Sequence, residues 1–257
     1  MGTRSDKGQP TKIKPVEQSG GLDQAGDIGR FLEAARSIPP AHRQPGTAGR
    51  LLFAMDATMS RQPTWDRACQ IQGQMFLETE KVGGLSVQLA FFRGLNELKT
   101  SHWVGAPKEL ARLMTSVRCR GGFTQIERML RHALKETRRQ PVQAVVYVGD
   151  CVEENPDALC ALAGELGMMK TPLFLFHEGQ DPIAALAFRE MARLSGGAYA
   201  PFDASSASQL ADLLRAVAVY AAGGHQALVG MDKARLGSAR VLIEQIRKGP
   251  GHKGEAK

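Results

Sequence analysis

The stretch RLLFAMDATMS, residues 50–60, joins an apolar run to one acid and two hydroxyl side chains. Its first part, RLLFAMD (50–56), has the length and composition of a strand that is buried on both faces of a sheet. Asp56, Thr58 and Ser60 then present three oxygen-bearing side chains at alternate positions, where the apolar run stops. A core strand that ends in this way indicates a site at the edge of a sheet.

Other apolar runs follow along the chain and alternate with helical patterns. The further predicted strands are LSVQLAFFRG (85–94), VQAVVYVGD (142–150), TPLFLFHEG (171–179) and AYAPFD (198–203). The predicted helices cover 63–82, 106–118, 124–139, 155–169, 182–197 and 205–224. This order predicts an α/β fold, a doubly wound and mostly parallel sheet with helices on both faces. NELKTSHWV (96–104) follows the second strand after a tight turn, and we expect it to pair back as one antiparallel edge strand.

The chain ends differ from its middle in composition. Residues 1–27 are rich in Gly, Lys, Gln and Pro, which predicts a disordered basic tail. Residues 28–47 predict a short helix and a linker, 48–224 the sheet domain, and 225–257 a C-terminal helix with a basic tail. The formal net charge is +7, but the middle of the chain holds equal numbers of basic and acidic residues. This distribution argues against a nucleic-acid surface on the folded body, because phosphate binding needs a basic patch there.

The cysteines and the hydropathy pattern bear on location. The four cysteines are scattered without a CxxC pair, which predicts free thiols and a reducing compartment. No apolar segment near the N-terminus resembles a signal peptide or a membrane-spanning helix. The sequence therefore predicts a cytoplasmic protein without a membrane partner.

Polar side chains from three separate loops are predicted to meet at one edge of the sheet. Ligands of open parallel sheets collect at the carboxyl ends of the strands, where loops lead into helices. Asp56 and Asp150 each end a predicted strand, and Thr124 follows Gly121 and Gly122 at the start of a predicted helix. The candidate ligands are Asp56, Thr58, Ser60, Thr124 and Asp150. All five offer oxygen, which favours Mg²⁺ or Mn²⁺ over Zn²⁺.

The order Asp-x-Thr-x-Ser, then Thr after Gly-Gly, then Asp at a strand end resembles the metal-ion-dependent adhesion site (MIDAS) of von Willebrand factor type A (vWA) domains. The resemblance covers about residues 48–222. It implies that Thr58, Ser60 and Thr124 supply hydroxyl oxygens, and that the two aspartates bind the ion directly or through water. The chain departs from the usual motif at Thr58, where Ser is usual, at Met59 and at Arg61. A guanidinium close to a cation is unfavourable unless Asp66 or a bound acid neutralises it.

The resemblance also implies a function. vWA domains of this kind are non-catalytic modules that bind an Asp or Glu side chain of a partner protein through the ion. Cytoplasmic bacterial members often belong to larger assemblies, some of them linked to chaperone-like ATPases. The sequence resembles this bacterial cytoplasmic type.

Simpler interpretations of the same residues stay open. Thr124 to Glu127 fits a capping box, Ser60 could only shape the turn before Pro63, and Asp150 could be a solvated acid. A metal-dependent phosphohydrolase is an alternative function, although Thr58 stands where such enzymes carry a second acid. A nucleic-acid-associated protein that acts through its basic tails is another, although the low aromatic content offers no stacking platform.

Overall fold

The computed structural model of the protein describes residues 48–61, 85–202 and 216–223. The two predicted tails, the predicted helix and linker at 28–47 and the predicted helix at 63–82 lie outside the described residues. Within the described ranges, no helix is both long and apolar enough to cross a membrane.

Strands and helices alternate along the described chain. The strands are β1 (Gly49–Asp56), β2 (Leu85–Arg93), β3 (Glu97–Val104), β4 (Ala144–Gly149), β5 (Leu173–Glu178) and β6 (Ala198–Phe202). The helices are α1 (Pro107–Ser116), α2 (Ile126–Arg139), α3 (Pro156–Met168) and α4 (Pro182–Ser195), with a 3₁₀ turn at Met59–Arg61 and a helical segment at 216–223.

The six strands form one sheet in the order β3-β2-β1-β4-β5-β6. All neighbouring pairs are parallel except β2 and β3, which are antiparallel. The prediction of a mostly parallel sheet with one antiparallel edge strand is therefore confirmed. The edge strand has four side chains that are half-buried and three that are exposed, which suits a position with solvent on one side.

Both faces of the sheet are covered, as the apolar runs predict. Along β1, Leu51, Phe53 and Met55 face a core that includes α1 and the segment 216–223. Leu52 and Ala54 point the other way, into a core built with α2, α3 and α4. Because alternate side chains of a strand point to opposite faces, a strand in the middle of such a sheet is apolar throughout.

Two predicted element ends differ from the structure in ways that matter for the site. Helix α2 begins at Ile126 rather than at Thr124, so Thr124 lies in the loop before the helix. The predicted strand 171–179 ends at Glu178 in the structure, so His177 and Glu178 are the last two residues of β5, and both are buried.

Candidate metal centre

The order of the strands creates a crevice at the carboxyl ends of β1 and β4. From β1 the chain continues to one side of the sheet through β2 and β3, and from β4 to the other side through β5 and β6. The loops that leave β1 and β4 therefore diverge, which is where ligands of doubly wound sheets bind. Met55 pairs with Val148 in the register of the two strands, so Asp56 lies level with Gly149 and Asp150 follows one residue later.

Asp56 and Asp150 each have one buried carboxylate oxygen that lacks a hydrogen-bond partner among the described residues. Asp56 is fully buried, and its Oδ1 accepts a hydrogen bond of 2.7 Å from the backbone N–H of Thr58. Among the described residues, Oδ2 of Asp56 and Oδ1 of Asp150 are buried and have no hydrogen-bond partner. One ligand atom each from Asp56, Asp150 and Cys151 lie within 4.8 Å of one another. Buried acceptors without donors are unfavourable unless a cation or a proton joins them.

Burial has a large effect on the ionisation of Asp56. Loss of hydration raises the pKa of its carboxyl to about 6, against hydrogen bonds from Thr58 that lower it. The negative charge of Asp150 raises the pKa further and the positive charge of Arg61 lowers it. A divalent cation between the two aspartates would reverse this effect, because it favours their ionised forms.

The hydroxyls of Thr58 and Ser60 lie together next to Asp56. Their Oγ atoms are 3.0 Å apart, within hydrogen-bond distance. Thr58 is buried and Ser60 is exposed, so the pair extends from the buried carboxylate towards solvent. The 3₁₀ turn at Met59–Arg61 produces this arrangement because it folds the chain back directly after β1.

The loop between α1 and α2, residues 117–125, packs against the ends of β1 and β2. The backbone N–H of Arg120 donates to the carbonyl of Ala57 at 3.0 Å, and that of Phe123 to the carbonyl of Gly94 at 3.2 Å. A Cβ atom on Gly122 would lie 2.0 Å from the carbonyl oxygen of Gly94. Only glycine allows this close approach, which brings the loop that carries Thr124 onto the carboxyl edge of the sheet.

Thr124 is held by the loop that follows Asp150. Its hydroxyl donates to Oε2 of Glu154 at 2.6 Å and accepts from the backbone N–H of Glu153 at 3.1 Å. Its own backbone N–H donates to Oε2 of Glu153 at 2.7 Å. Thr124 therefore contacts the β4–α3 loop directly, three and four residues beyond Asp150.

The capping-box interpretation of Thr124 does not agree with this geometry. The N-cap of α2 is Gln125, which makes no side-chain capping bond. Glu154 accepts a hydrogen bond of 2.9 Å from the backbone N–H of Glu127 instead, so a carboxylate from another loop caps the helix.

Arg61 is neutralised by Glu178. Its Nε lies 2.7 Å from Oε2 of Glu178, and both side chains are largely buried. One terminal nitrogen also donates to the carbonyl oxygens of Val148 and Asp56, at 3.1 and 3.4 Å. Arg61 thus connects the ends of β1, β4 and β5. The sequence suggested Asp66 as the neutralising acid, but Asp66 lies outside the described residues and Glu178 fills this role.

His177 supports the backbone at Asp150. Its Nε2 is 3.2 Å from the carbonyl oxygen of Asp150, and its Nδ1 is 3.0 Å from the hydroxyl of Tyr199. A carbonyl oxygen only accepts, so Nε2 carries the proton, and the neutral ring accepts at Nδ1 from Tyr199. Burial lowers the pKa of His177, which favours this neutral form.

Sequence reasoning missed several residues at this edge. Cys151 enters the sequence prediction only as one of four scattered thiols, and Glu153 and Glu154 do not enter it. The run Asp-Cys-Val-Glu-Glu at 150–154 was the available signal, since it places four side chains with potential ligand or acceptor atoms directly after a buried strand.

Comparisons with known proteins find similar proteins by structure alone. No protein-family profile and no curated protein sequence matches the chain. A von Willebrand factor type A protein from Catenulispora acidiphila superposes with a TM-score of 0.55 and 13% identity, over 68% of this chain and 43% of the other. The VWA domain of SpRpn10 superposes with a TM-score of 0.50 and 13% identity, over 65% of this chain and 94% of the other. Proximal thread matrix protein 1 from the mussel byssus, with a zinc-occupied MIDAS motif, superposes with a TM-score of 0.52 and 14% identity, over 66% of this chain and 46% of the other.

The fold of this chain is therefore that of a vWA domain, as the order of the motif pieces implies. The chain spans less than half the length of the Catenulispora and mussel proteins and nearly all of the SpRpn10 domain. Among these neighbours, proximal thread matrix protein 1 has a zinc-occupied MIDAS motif. The cluster of Asp56, Asp150 and Cys151 suits a divalent metal by its chemistry, since it combines two carboxylates with unpartnered oxygens.

Proposed function

We propose that this protein is a non-catalytic, metal-dependent interaction module that binds an acidic residue of a partner protein. The ion would be Mg²⁺ or Mn²⁺, held by side chains at the carboxyl ends of β1 and β4 and in the loop before α2. The proposed ligands are Asp56, Thr58, Ser60, Thr124 and Asp150. The observation that carries the proposal is the pair of buried carboxylate oxygens, on Asp56 and Asp150, that have no partner among the described residues.

The charge of the ligand set favours an incoming acid. Two carboxylates balance the two charges of the ion, while the hydroxyls of Thr58 and Ser60 are neutral. Mg²⁺ takes six oxygen ligands in a near-ideal octahedron and usually keeps several waters. A carboxylate from a partner can replace one of these waters on the exposed side of the site, where Ser60 reaches solvent.

Exposed apolar side chains at the carboxyl edge of the sheet support a protein as the partner. Six large hydrophobic side chains are exposed among the described residues. Five of them lie in loops or early helical turns at the carboxyl edge of the sheet: Met59, Leu95, Phe123, Ile183 and Leu186. Apolar surface that surrounds a polar centre is a common feature of protein-binding sites.

The proposed function requires that capture of a partner depends on the ion. Full-length protein immobilised with Mg²⁺ or Mn²⁺ is expected to retain a partner from native lysate, to release it with EDTA, and to retain none when Asp56→Asn is used. Isothermal titration of the purified protein with each ion measures the first step separately. A partner that stays bound with EDTA and to the Asp56→Asn variant would rule out this function.

The apolar side chains give a second prediction. We expect Phe123→Ser to weaken partner binding by about fivefold or more, since an apolar anchor at an interface commonly contributes at least 1 kcal/mol. Met168→Ser is the matched control, because Met168 is more exposed but lies at the carboxyl end of α3, away from this edge. Both variants should take up Mn²⁺ like the parent in a calorimeter. Equal partner binding by both variants would show that the apolar side chains do not contact the partner.

We further propose that the module works in the bacterial cytoplasm as part of a larger assembly, for which an ATPase or chaperone-linked complex is a candidate. The described cysteines Cys151 and Cys160 are free, which suits a reducing compartment. The absence of catalysis is testable with a phosphate ester: turnover in proportion to Mg²⁺ would contradict it.

A further inference from the structure

Cys151 places a sulfur atom in the same cluster as the two aspartates. Its Sγ and one oxygen each of Asp56 and Asp150 are mutually within 4.8 Å. Ligand atoms of a tetrahedral ion with bonds of about 2.0 to 2.3 Å lie about 3.3 to 3.8 Å apart, so one ion can reach all three atoms if they move closer by about 1 Å. Oδ2 of Asp56, which is fully buried and has no hydrogen-bond partner among the described residues, independently indicates that this cluster binds a cation.

We propose that Cys151 is a ligand of the same ion as Asp56 and Asp150 when that ion is thiophilic, and that the site binds Zn²⁺ or Co²⁺ through sulfur and Mg²⁺ or Mn²⁺ through oxygen alone. This inference rests on the metal site of the proposed function and changes which ions it selects. Thiolate is a ligand that Zn²⁺ and Co²⁺ accept well, whereas Mg²⁺ and Mn²⁺ prefer oxygen. When the sulfur binds, the S–H bond is broken, the proton passes to the buffer and a sulfur–metal bond forms.

The positions of the three side chains allow both modes of binding. Asp56 is buried at the end of β1, while Asp150 and Cys151 are half-buried in the loop after β4. The hydroxyls of Thr58 and Ser60 lie on the β1 side of the cluster, since Thr58 bonds to Asp56. An ion that prefers oxygen can thus complete its shell from Thr58, Ser60 and water, and one that accepts sulfur can do so from Cys151.

Cobalt titration of the full-length protein tests the inference directly. Co²⁺ bound by a thiolate gives a sulfur-to-metal charge-transfer band in the near ultraviolet, which oxygen ligands do not give. We expect this band in the parent and in Cys160→Ser, and its loss in Cys151→Ser. Cys160 is a matched control because it is also a free, half-buried cysteine, but it lies within α3.

Affinities measured by competition distinguish the ions. Cys151→Ser should weaken Zn²⁺ binding by at least about tenfold, as the loss of a ligand costs at least as much as the loss of a supporting contact. The affinity for Mn²⁺ should stay within about twofold of the parent, because Mn²⁺ binding does not use the sulfur. Asp56→Asn should weaken the binding of both ions.

The possible failures are distinct. If Co²⁺ and Mn²⁺ bind but no charge-transfer band forms, or if the band persists in Cys151→Ser, Cys151 is not a ligand and the proposed function stands. If Zn²⁺ binds Cys151→Ser as tightly as it binds the parent, the inference is likewise overturned. If none of these ions binds the parent, both the inference and the proposed function are wrong.

Discussion

The Asp56→Asn variant should be more stable than the parent protein in EDTA at pH 7.5, and should gain nothing from Mg²⁺ or Mn²⁺. Asp56 is fully buried, and burial raises the pKa of its carboxyl to about 6. In the unfolded chain an aspartate has a pKa of about 3.9. The difference of about two pKa units corresponds to about 3 kcal/mol, by which the buried charge destabilises the ion-free protein above pH 6.

The expected pH dependence has a definite sign. A carboxyl whose pKa is higher in the folded protein binds its proton more tightly there, so protonation favours folding. The contribution of Asp56 to the free energy of unfolding should therefore rise as the pH falls from about 6 to about 4. Asparagine carries no charge, so the stability difference between the variant and the parent should be larger at pH 7.5 than at pH 4.5.

The metal has the opposite effect on the same pair of proteins. A ligand that binds only the folded state stabilises it by about 2.7 kcal/mol at a concentration 100 times its dissociation constant. The parent should gain this stability and Asp56→Asn should not, because asparagine removes one of the two carboxylates.

Urea unfolding in EDTA and in MnCl₂, at both pH values, measures all of these differences. The control is Asp157→Asn, at an exposed acid in the first turn of α3, which should change little under any condition. If the parent is as stable as Asp56→Asn in EDTA at pH 7.5, burial of the Asp56 charge does not destabilise the protein. If the parent also gains no stability from MnCl₂, Asp56 does not bind the ion.

The fold could be predicted from the sequence because its signals are local and repeated. Each central strand is a short apolar run, and only a sheet covered on both faces buries such a run completely. The alternation with helices then fixes parallel pairing and the direction of the crossovers. The pairing of β3 followed from its polar composition and from the tight turn at Gly94, which has a φ of 63°.

The convergence of Asp56 and Asp150 was predictable for a related reason. Both follow buried strands, and the carboxyl ends of parallel strands lie at one edge of the sheet. Topology alone, without any knowledge of side-chain conformation, places these two residues close together.

The contacts around the aspartates were not predictable, because they depend on loop conformation. Whether Cys151 points towards Asp56 is decided by the backbone path after β4, for which the sequence has no periodic signal. The cap that Glu154 provides for α2 joins residues from two loops, so the local capping-box pattern at Thr124 suggested a different donor and acceptor. The pairing of Arg61 with Glu178 spans 117 positions and depends on β1 and β5 lying on either side of β4.

Replacement of Arg61 by methionine should destabilise the protein by about 3 to 5 kcal/mol, as is typical when one member of a buried ion pair is removed. Methionine has a similar length and fills much of the same space, so the loss comes from charge and hydrogen bonds rather than from a cavity. Glu178 would keep a largely buried negative charge without its cation. The carbonyl oxygens of Val148 and Asp56 would also lose a donor.

Variants of Glu178 identify the source of the stability that is lost when Arg61 is replaced. The double variant Arg61→Met with Glu178→Gln leaves no unpaired buried charge, so it should be more stable than Arg61→Met alone. The single variant Glu178→Gln should also be less stable than the parent, since it leaves the Arg61 guanidinium buried without a carboxylate. Urea unfolding of the parent and these three variants gives the coupling energy between the two side chains.

Arg193→Met is the matched control for the arginine. Arg193 also forms an ion pair, with Glu190 three residues earlier on α4, but both side chains are exposed to solvent. Exposed pairs of this kind contribute little to stability because water already solvates both charges. If Arg61→Met cost no more than Arg193→Met, or if the double variant were as unstable as the sum of its two single variants, then the ion pair would not hold the strand ends together. Because Arg61 contacts β1, β4 and β5 at once, its loss should also loosen the positions of Asp56 and Asp150, so Arg61→Met should bind Mn²⁺ more weakly than the control.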